Sequence, residues 1–340
     1  MLNDDLVVVT GAGGFIGGHL VGYLQRTLGH SRIRAVDSKP LDDWYQIHPG
    51  VDALSLDVSE RENAYRATRG ARQVYNLAAD MGGMGFIETH KAECMLSVLI
   101  NTHMLMAAKD CGVERFFFSS SACVYAADKQ TDANVTALKE DDAYPAMPED
   151  GYGWEKLFSE RMCRHFREDY GLKTRIGRYH NVYGPHGTYD GGREKAPAAI
   201  CRKVIEARMS GRHEIEIWGD GEQTRSFMYI DDCLVGTTRL MDSDIVEPLN
   251  VGSDELVSIN RLVDIVEKIA GVKLARRYKL DAPKGVRGRN SDNTLIKQVM
   301  DWAPSVRLED GMEKTYRWIR EEIEAGVRSK ANSVPRKAAG

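Results

Sequence analysis

The 340-residue sequence is short of several things, and each shortage removes a class of protein. No stretch approaches the roughly 18 consecutive apolar residues of a membrane span. The first residues, Met1 through Asp5, lack the basic start and long apolar core of a secretory leader. Positive charge is not in excess: 46 Lys and Arg stand against 50 Asp and Glu, a net charge of -4. Without a basic face, neither nucleic acid nor an acidic membrane is an expected partner. Six cysteines, at 94, 111, 123, 163, 201 and 233, include no C-x-x-C pair and have no histidine at zinc-ligand spacing. Neither a disulfide framework nor a metal site is expected, and the pattern suits a reducing, cytoplasmic setting. Internal repeats and low-complexity segments are missing as well. Residues 327–340, with basic charges among Ser, Asn, Pro and Ala, are expected to form a disordered tail.

What is present points to an α/β fold. Leu6 to Val9 is a short β-branched run with no polar alternation, as expected of a strand covered on both faces. Similar runs follow at Arg32 to Val36, Val74 to Leu77, Arg115 to Ser119 and Lys173 to Ile176, most of them separated by helical patterns. Such alternation predicts a Rossmann-type doubly wound parallel sheet over residues 1–178. Past Tyr179 the chain turns to Gly- and Pro-rich loops with helices at about 195–209, 258–270 and 309–325. Residues 179–226 and 254–326 are therefore expected to form a smaller C-terminal α/β substrate-binding domain at the carboxyl edge of the sheet. Residues 227–253 again read as strand and helix, and are expected to rejoin the first domain.

The turn after the first strand is Gly11-Ala12-Gly13-Gly14-Phe15-Ile16-Gly17. Gly11, Gly14 and Gly17, with Phe15 and Ile16 opening a helix, form a pyrophosphate-binding turn: the backbone approaches closely and the helix N-terminus offers free N–H groups. Asp37 ends the second strand, where a carboxylate accepts ribose hydroxyls and repels a 2′-phosphate, so NAD is favoured over NADP. Asp57 closes the next strand-like run and either meets the adenine or is an acidic loop residue. Tyr152 and Lys156 are spaced i, i+4 at the start of a helical segment, so both project from one face. An adjacent ammonium, helped by a nicotinamide cation, is expected to bring the tyrosine into range as a base. Ser119-Ser120-Ser121-Ala122-Cys123-Val124-Tyr125 follows a strand and supplies hydroxyls for the reacting oxygen, Ser121 among them.

Together with Asn76-Leu77-Ala78-Ala79, these motifs resemble the extended short-chain dehydrogenase/reductase family of NAD-dependent epimerases and dehydratases, and the similarity reaches about Glu322. The resemblance implies a nucleotide sugar held between two domains. Four stretches, at 80–86, 191–197, 218–227 and 286–293, are similar to the branch of that family that inverts GDP-mannose at C3 and C5. In that branch Tyr152 would remove the C4 hydroxyl proton, and Cys123 and Lys195 would be the acid/base pair at the ring carbons. Which of the two is base and which acid stays open. Dehydratases of the family carry Asp-Glu in place of Ala122-Cys123, and 4-epimerases carry Thr. The resemblance further implies substrate contacts from Met84, Gly85, Ser121, Asn181, Glu194, Lys203 and Gln223, with Arg287 and Arg289 clamping the diphosphate. It also implies a homodimer built from the helices near Ile87 to Cys111 and Tyr152 to Tyr170, with Phe166 expected to face outward. The competing readings are another nucleotide-sugar 4-epimerase or dehydratase of the same fold, and a silent NAD-binding protein.

Overall fold

A computed structural model describes residues 4–333. The first half is β1 (Val7–Thr10), α1 (Phe15–Arg26), β2 (Ile33–Asp37), β3 (Asp52–Ser55), α2 (Arg61–Thr68), β4 (Gln73–Asn76), α3 (Met84–Thr89), α4 (Lys91–Asp110), β5 (Arg115–Ser121), α5 (Tyr152–Tyr170) and β6 (Lys173–Tyr179). The second is β7 (Val182–Tyr183), α6 (Ala196–Ser210), β8 (Glu214–Trp218), β9 (Thr224–Ser226), β10 (Met228–Tyr229), α7 (Ile230–Asp242), β11 (Leu249–Val251), β12 (Leu256–Ser258), α8 (Ile259–Ala270), β13 (Ala275–Lys279), β14 (Gly288–Arg289), α9 (Thr294–Met300) and α10 (Leu308–Ser333).

Seven parallel strands make the main sheet, in the order β11-β6-β5-β4-β1-β2-β3. β1 is buried along its whole length, as an apolar run without alternation requires under helices on both faces. The chain winds outward from β1 through β2 and β3, then restarts on the other side at β4. That reversal opens a crevice at the carboxyl ends of β1 and β4, the place where open α/β sheets bind ligands. The crevice is braced by Thr10, whose hydroxyl donates to Asn76 Oδ1 at 2.8 Å and accepts the Leu77 and Ala78 amides. β5 runs on to Ser121, still paired with β6 at Tyr179, and so carries the serine run to this edge. β11 pairs with β6, so the chain does return to the main sheet after α7.

β8 pairs with β13, and β9 lies between β12 and β14, beside α6, α8 and α10. One apolar cluster runs from Val9 and Leu20 through Tyr183 to Val204 and Leu262, so the two halves share a core with no linker between them. α10 continues through Ser333, past the point at which the tail was expected to begin. No proline interrupts its hydrogen-bond ladder before Pro335. The rest of the expected tail, 334–340, lies outside the described residues.

Two surface features frame the crevice. The loop after β2 folds back so that Trp44 covers Gly13, and the Tyr45 ring meets Trp318 of α10 edge-on at 5.9 Å. Trp318 also touches His186 and Tyr189. On the opposite flank α4 and α5 lie side by side. Ile100, Met104, Met162 and Phe166 pack toward the sheet, while Met95, Leu96, Leu99, Trp154 and Phe158 are exposed. Phe166 is thus inward, contrary to expectation. α5 is apolar on two sides, and spacing alone does not say which side meets the sheet.

Candidate active site

α1 begins with no side-chain cap at Gly14, which leaves its first amides to whatever occupies the cavity above. That cavity has a volume of about 790 Å³ and is lined by Gly11, Gly14, Phe15, Ile16 and Gly17 on one side. Gly11 has φ 72°, and a Cβ there would meet the Ala78 amide nitrogen at 2.9 Å. A Cβ on Gly17 would run into the Gly11 carbonyl. Only glycine permits this tight turn, and the cradle it leaves fits a pyrophosphate. Asp37 lines the same cavity and is aimed by two amides, Gly13 N–H to Oδ2 and Lys39 N–H to Oδ1, each at 3.0 Å. Asp57 lines it too, while its Oδ1 accepts the Ser59 amide at 2.9 Å, so it serves both the cavity and its own loop. These residues fit NAD on every point the turn, the helix end and the carboxylate test.

Farther along the cavity stand Ser121, Tyr152 and Lys156. Lys156 is sealed, with Nζ 3.5 Å from the Glu155 carboxylate and 4.8 Å over the Phe118 ring. Burial pushes the Tyr152 phenol well above its usual range, and the charges of Cys123 and Glu155 add to that. The Ser121 hydroxyl pulls the other way. Desolvation dominates at this phenol.

Cys123 sits in the short turn Ala122–Val124 directly after β5, and its amide donates to Ser121 Oγ at 3.2 Å. A Cβ on Gly153 would run into the Cys123 carbonyl, so the start of α5 rests on this turn. That packing brings Cys123 and Tyr152 into one buried cluster with Phe86 and Cys94. Burial, then the neighbouring Glu149 carboxylate, push the Cys123 thiol up to about 11. Lys195, the residue before α6, lines the main cavity. Burial lowers its ammonium, and the nearby Cys123 sulfur opposes this.

Two groups account for most of the expected substrate contacts, with Asn181 and Glu194 apart from both. Ser121 and Lys195 share the main cavity with Tyr152. Four others gather around Trp218 instead. A Cβ on Gly85 would touch its ring, Lys203 Nζ lies 5.8 Å over it, and Gln223 donates to its carbonyl at 2.8 Å. Met84 closes this side against Gly285, and Gln223 Oε1 is buried with no partner. Asn181, at φ 39°, donates to the Ser226 carbonyl. Glu194 takes the Gly192 amide and Arg202.

Neither expected clamp arginine is free in this structure. Arg287 is bound to both oxygens of Asp220, at 2.8 and 2.9 Å. Arg289 is buried and donates to Gln130 at 2.6 Å, to Glu149 at 2.7 Å and to Cys123 Sγ at 3.5 Å. Its charge already has a carboxylate partner, which is why it does not stand open for a diphosphate. Sequence reasoning missed Gln130 and Glu149, both from the long loop between β5 and α5. That loop feeds these side chains into the interior. No spacing signal links Glu149 to an arginine 140 residues away. Also missed was Arg193, which stacks on Phe86 at 3.8 Å and pairs with Asp80 at 2.6 Å, clasping the loops over the cavity.

A glycine cradle, a carboxylate at the end of β2 and a Tyr–Lys pair on one cavity define a dinucleotide-dependent enzyme acting at a carbon bearing a hydroxyl. The profile of the NAD dependent epimerase/dehydratase family matches residues 7–252, and the chain belongs to that family. It is 47% identical over 319 residues to GDP-mannose 3,5-epimerase 1 of Oryza sativa subsp. japonica, which covers 94% of this chain and 82% of that protein. GDP-mannose 3,5-epimerase of Arabidopsis thaliana is 46% identical over 94% of the chain and 83% of its own length. Among solved structures, UDP-glucose 4-epimerase of Thermotoga maritima with UDP-glucose superimposes with a TM-score of 0.82 at 25% identity, over 94% of this chain and 99% of that one.

Proposed function

We propose that the chain epimerises GDP-mannose at C3 and C5, to GDP-L-galactose and GDP-L-gulose, by transient oxidation at C4. The observation that carries this reading is a thiol, Cys123, packed against Tyr152 in the turn that follows the serine run. NAD, held by the glycine turn and Asp37, would supply a reversible acceptor for the C4 hydride. Tyr152 takes the C4 hydroxyl proton, with Ser121 holding the same oxygen and Lys156 supplying part of the positive charge that the buried phenol needs to ionise. The 4-keto sugar has acidic hydrogens at C3 and C5. Cys123 and Lys195 move those protons, one on each face of the ring, before C4 is reduced again. Asp37, Gly11, Gly14 and Gly17 hold the dinucleotide throughout. Met84 and Gly85 face the sugar, and Lys203 and Gln223, beside Trp218, make further substrate contacts.

A simple 4-epimerase needs no acid or base at carbon, and Cys123 and Lys195 would then have no task. The test is incubation of the pure protein with GDP-mannose in heavy water. Deuterium at C3 and C5 is expected; inversion at C4 without carbon-bound deuterium would establish the 4-epimerase instead.

The exposed residues Met95, Leu96 and Leu99 of α4, beside Trp154 and Phe158 of α5, support a homodimer that pairs these helices across a two-fold axis. No described helix is long and apolar enough to cross a membrane. Six free cysteines agree with a cytoplasmic location.

A further inference from the structure

Glu149 is a largely buried carboxylate beside Cys123 that the chemistry above does not use. Its amide donates to the Cys123 carbonyl at 3.1 Å, which ties the two residues together through the backbone. Its Oε1 holds Arg289 Nη2 at 2.7 Å, and the same guanidinium reaches Cys123 Sγ through Nη1 at 3.5 Å. Gln130 locks the third nitrogen, Nε, at 2.6 Å. Glu149 Oε2 is buried with no hydrogen-bond partner, and the carboxylate neighbours the Cys123 thiol. The charged or titratable groups facing the sulfur are therefore Glu149, Arg289, Tyr152, Lys195 and Arg225, with the Ser121 hydroxyl.

We propose that Glu149 is a positioning residue for Cys123: its carboxylate aims Arg289 at the sulfur, cancels that charge, and keeps the thiol protonated at rest. A guanidinium alone beside a thiol would favour the thiolate. Paired with a carboxylate in a buried site, it donates to the sulfur while adding no net charge, so the pair itself does little to favour an ionised thiol in low dielectric. Burial and Glu149 together raise the thiol, as the geometry requires. Cys123 then enters the cycle as a group able to give a proton as it stands. Only this last consequence rests on the epimerase reading; the state of the sulfur does not.

The experiment measures iodoacetamide modification of Cys123 by peptide mass spectrometry, on the full chain with its bound cofactor and no sugar nucleotide. In the unaltered protein the rate is expected to be still rising at pH 9.5, and a plateau below pH 8.5 would overturn the proposal. In Glu149→Gln the midpoint is expected to fall by a unit or more, about tenfold faster modification at pH 8. Glu149→Asp, which keeps the charge, should restore most of the original profile. A purely structural role would speed modification equally at every pH and leave the midpoint in place, which refutes the proposal. If Glu149→Gln does not fold, the profile of the unaltered protein still decides. On the epimerase reading, Glu149→Gln should also move the alkaline limb of kcat for deuterium uptake to lower pH with KM little changed. Loss of the sulfur shift and absence of deuterium uptake are separate failures.

Discussion

Replacing Cys123 by alanine separates the two halves of the proposed chemistry. Deuterium uptake at C5 should fall about a thousandfold, the middle of the usual range for a placed acid or base, while GDP-mannose still reduces the bound cofactor transiently. Tyr152→Phe should lose both signals, followed by absorbance of the reduced nicotinamide and by NMR. Near-normal exchange in Cys123→Ala would remove the thiol from carbon chemistry. A second residue governs stability against acid. His180 is sealed between Tyr125 and Asn250, with Nε2 2.8 Å from Asn250 Oδ1 and Nδ1 unpartnered. Burial lowers it to about 3. An unfolded histidine titrates near ~6.5. Below that pH the unfolded chain binds a proton that the fold refuses, so stability is present above about pH 6.5 and declines toward pH 3, by about 1.4 kcal/mol per unit for this group. His19, lowered by burial to about 4, adds in the same direction. His180→Gln should therefore flatten the acid side of the Tm-against-pH curve, and an unchanged slope would exclude His180 as its source.

The helices carry predictions of their own. Phe158 of α5 is 53% exposed and Phe166 packs toward the sheet, so charge at the two positions should act differently. Phe158→Glu is expected to halve the mass seen by light scattering with the fold kept, whereas Phe166→Glu should lower Tm by several degrees. A monomeric unaltered protein with full activity would end the dimer proposal. At the turn into α1, Gly17→Ala drives a methyl into the Gly11 carbonyl and is expected to yield protein that releases no nucleotide on acid treatment. These elements differ in how far they could be read in advance. β1, the glycine turn and the start of α5 were legible because each depends on residues within a few positions. The inward face of α5 was not, since Trp154, Phe158, Met162 and Phe166 follow one i, i+4 series, and spacing alone does not separate its exposed members from its packed ones. The pairing of Arg289 with Glu149 was not either: a buried ion pair across 140 residues is set by the packing of two loops and leaves no local trace.

At the scale of the whole molecule, the two halves share one core, and the crevice is covered from both sides, by Arg193 over Phe86 and by Tyr45 against Trp318. The isolated protein should therefore carry NAD or NADH with none added, detectable by acid release and chromatography. A nucleotide-free preparation that stays inactive toward every nucleotide hexose when NAD is supplied would count against the enzyme reading as a whole. The contact between Tyr45 and Trp318 has a further effect on bookkeeping across many turnovers. A molecule whose keto sugar escapes before re-reduction is left stranded, holding an electron pair and no partner to give it to. Were that contact to hold the dinucleotide in place, its return to service would wait on the contact opening or on a fresh keto sugar arriving from outside. Idle molecules would then accumulate with use, and loosening the contact would trade this slow attrition for dependence on the nicotinamide redox balance of the surroundings.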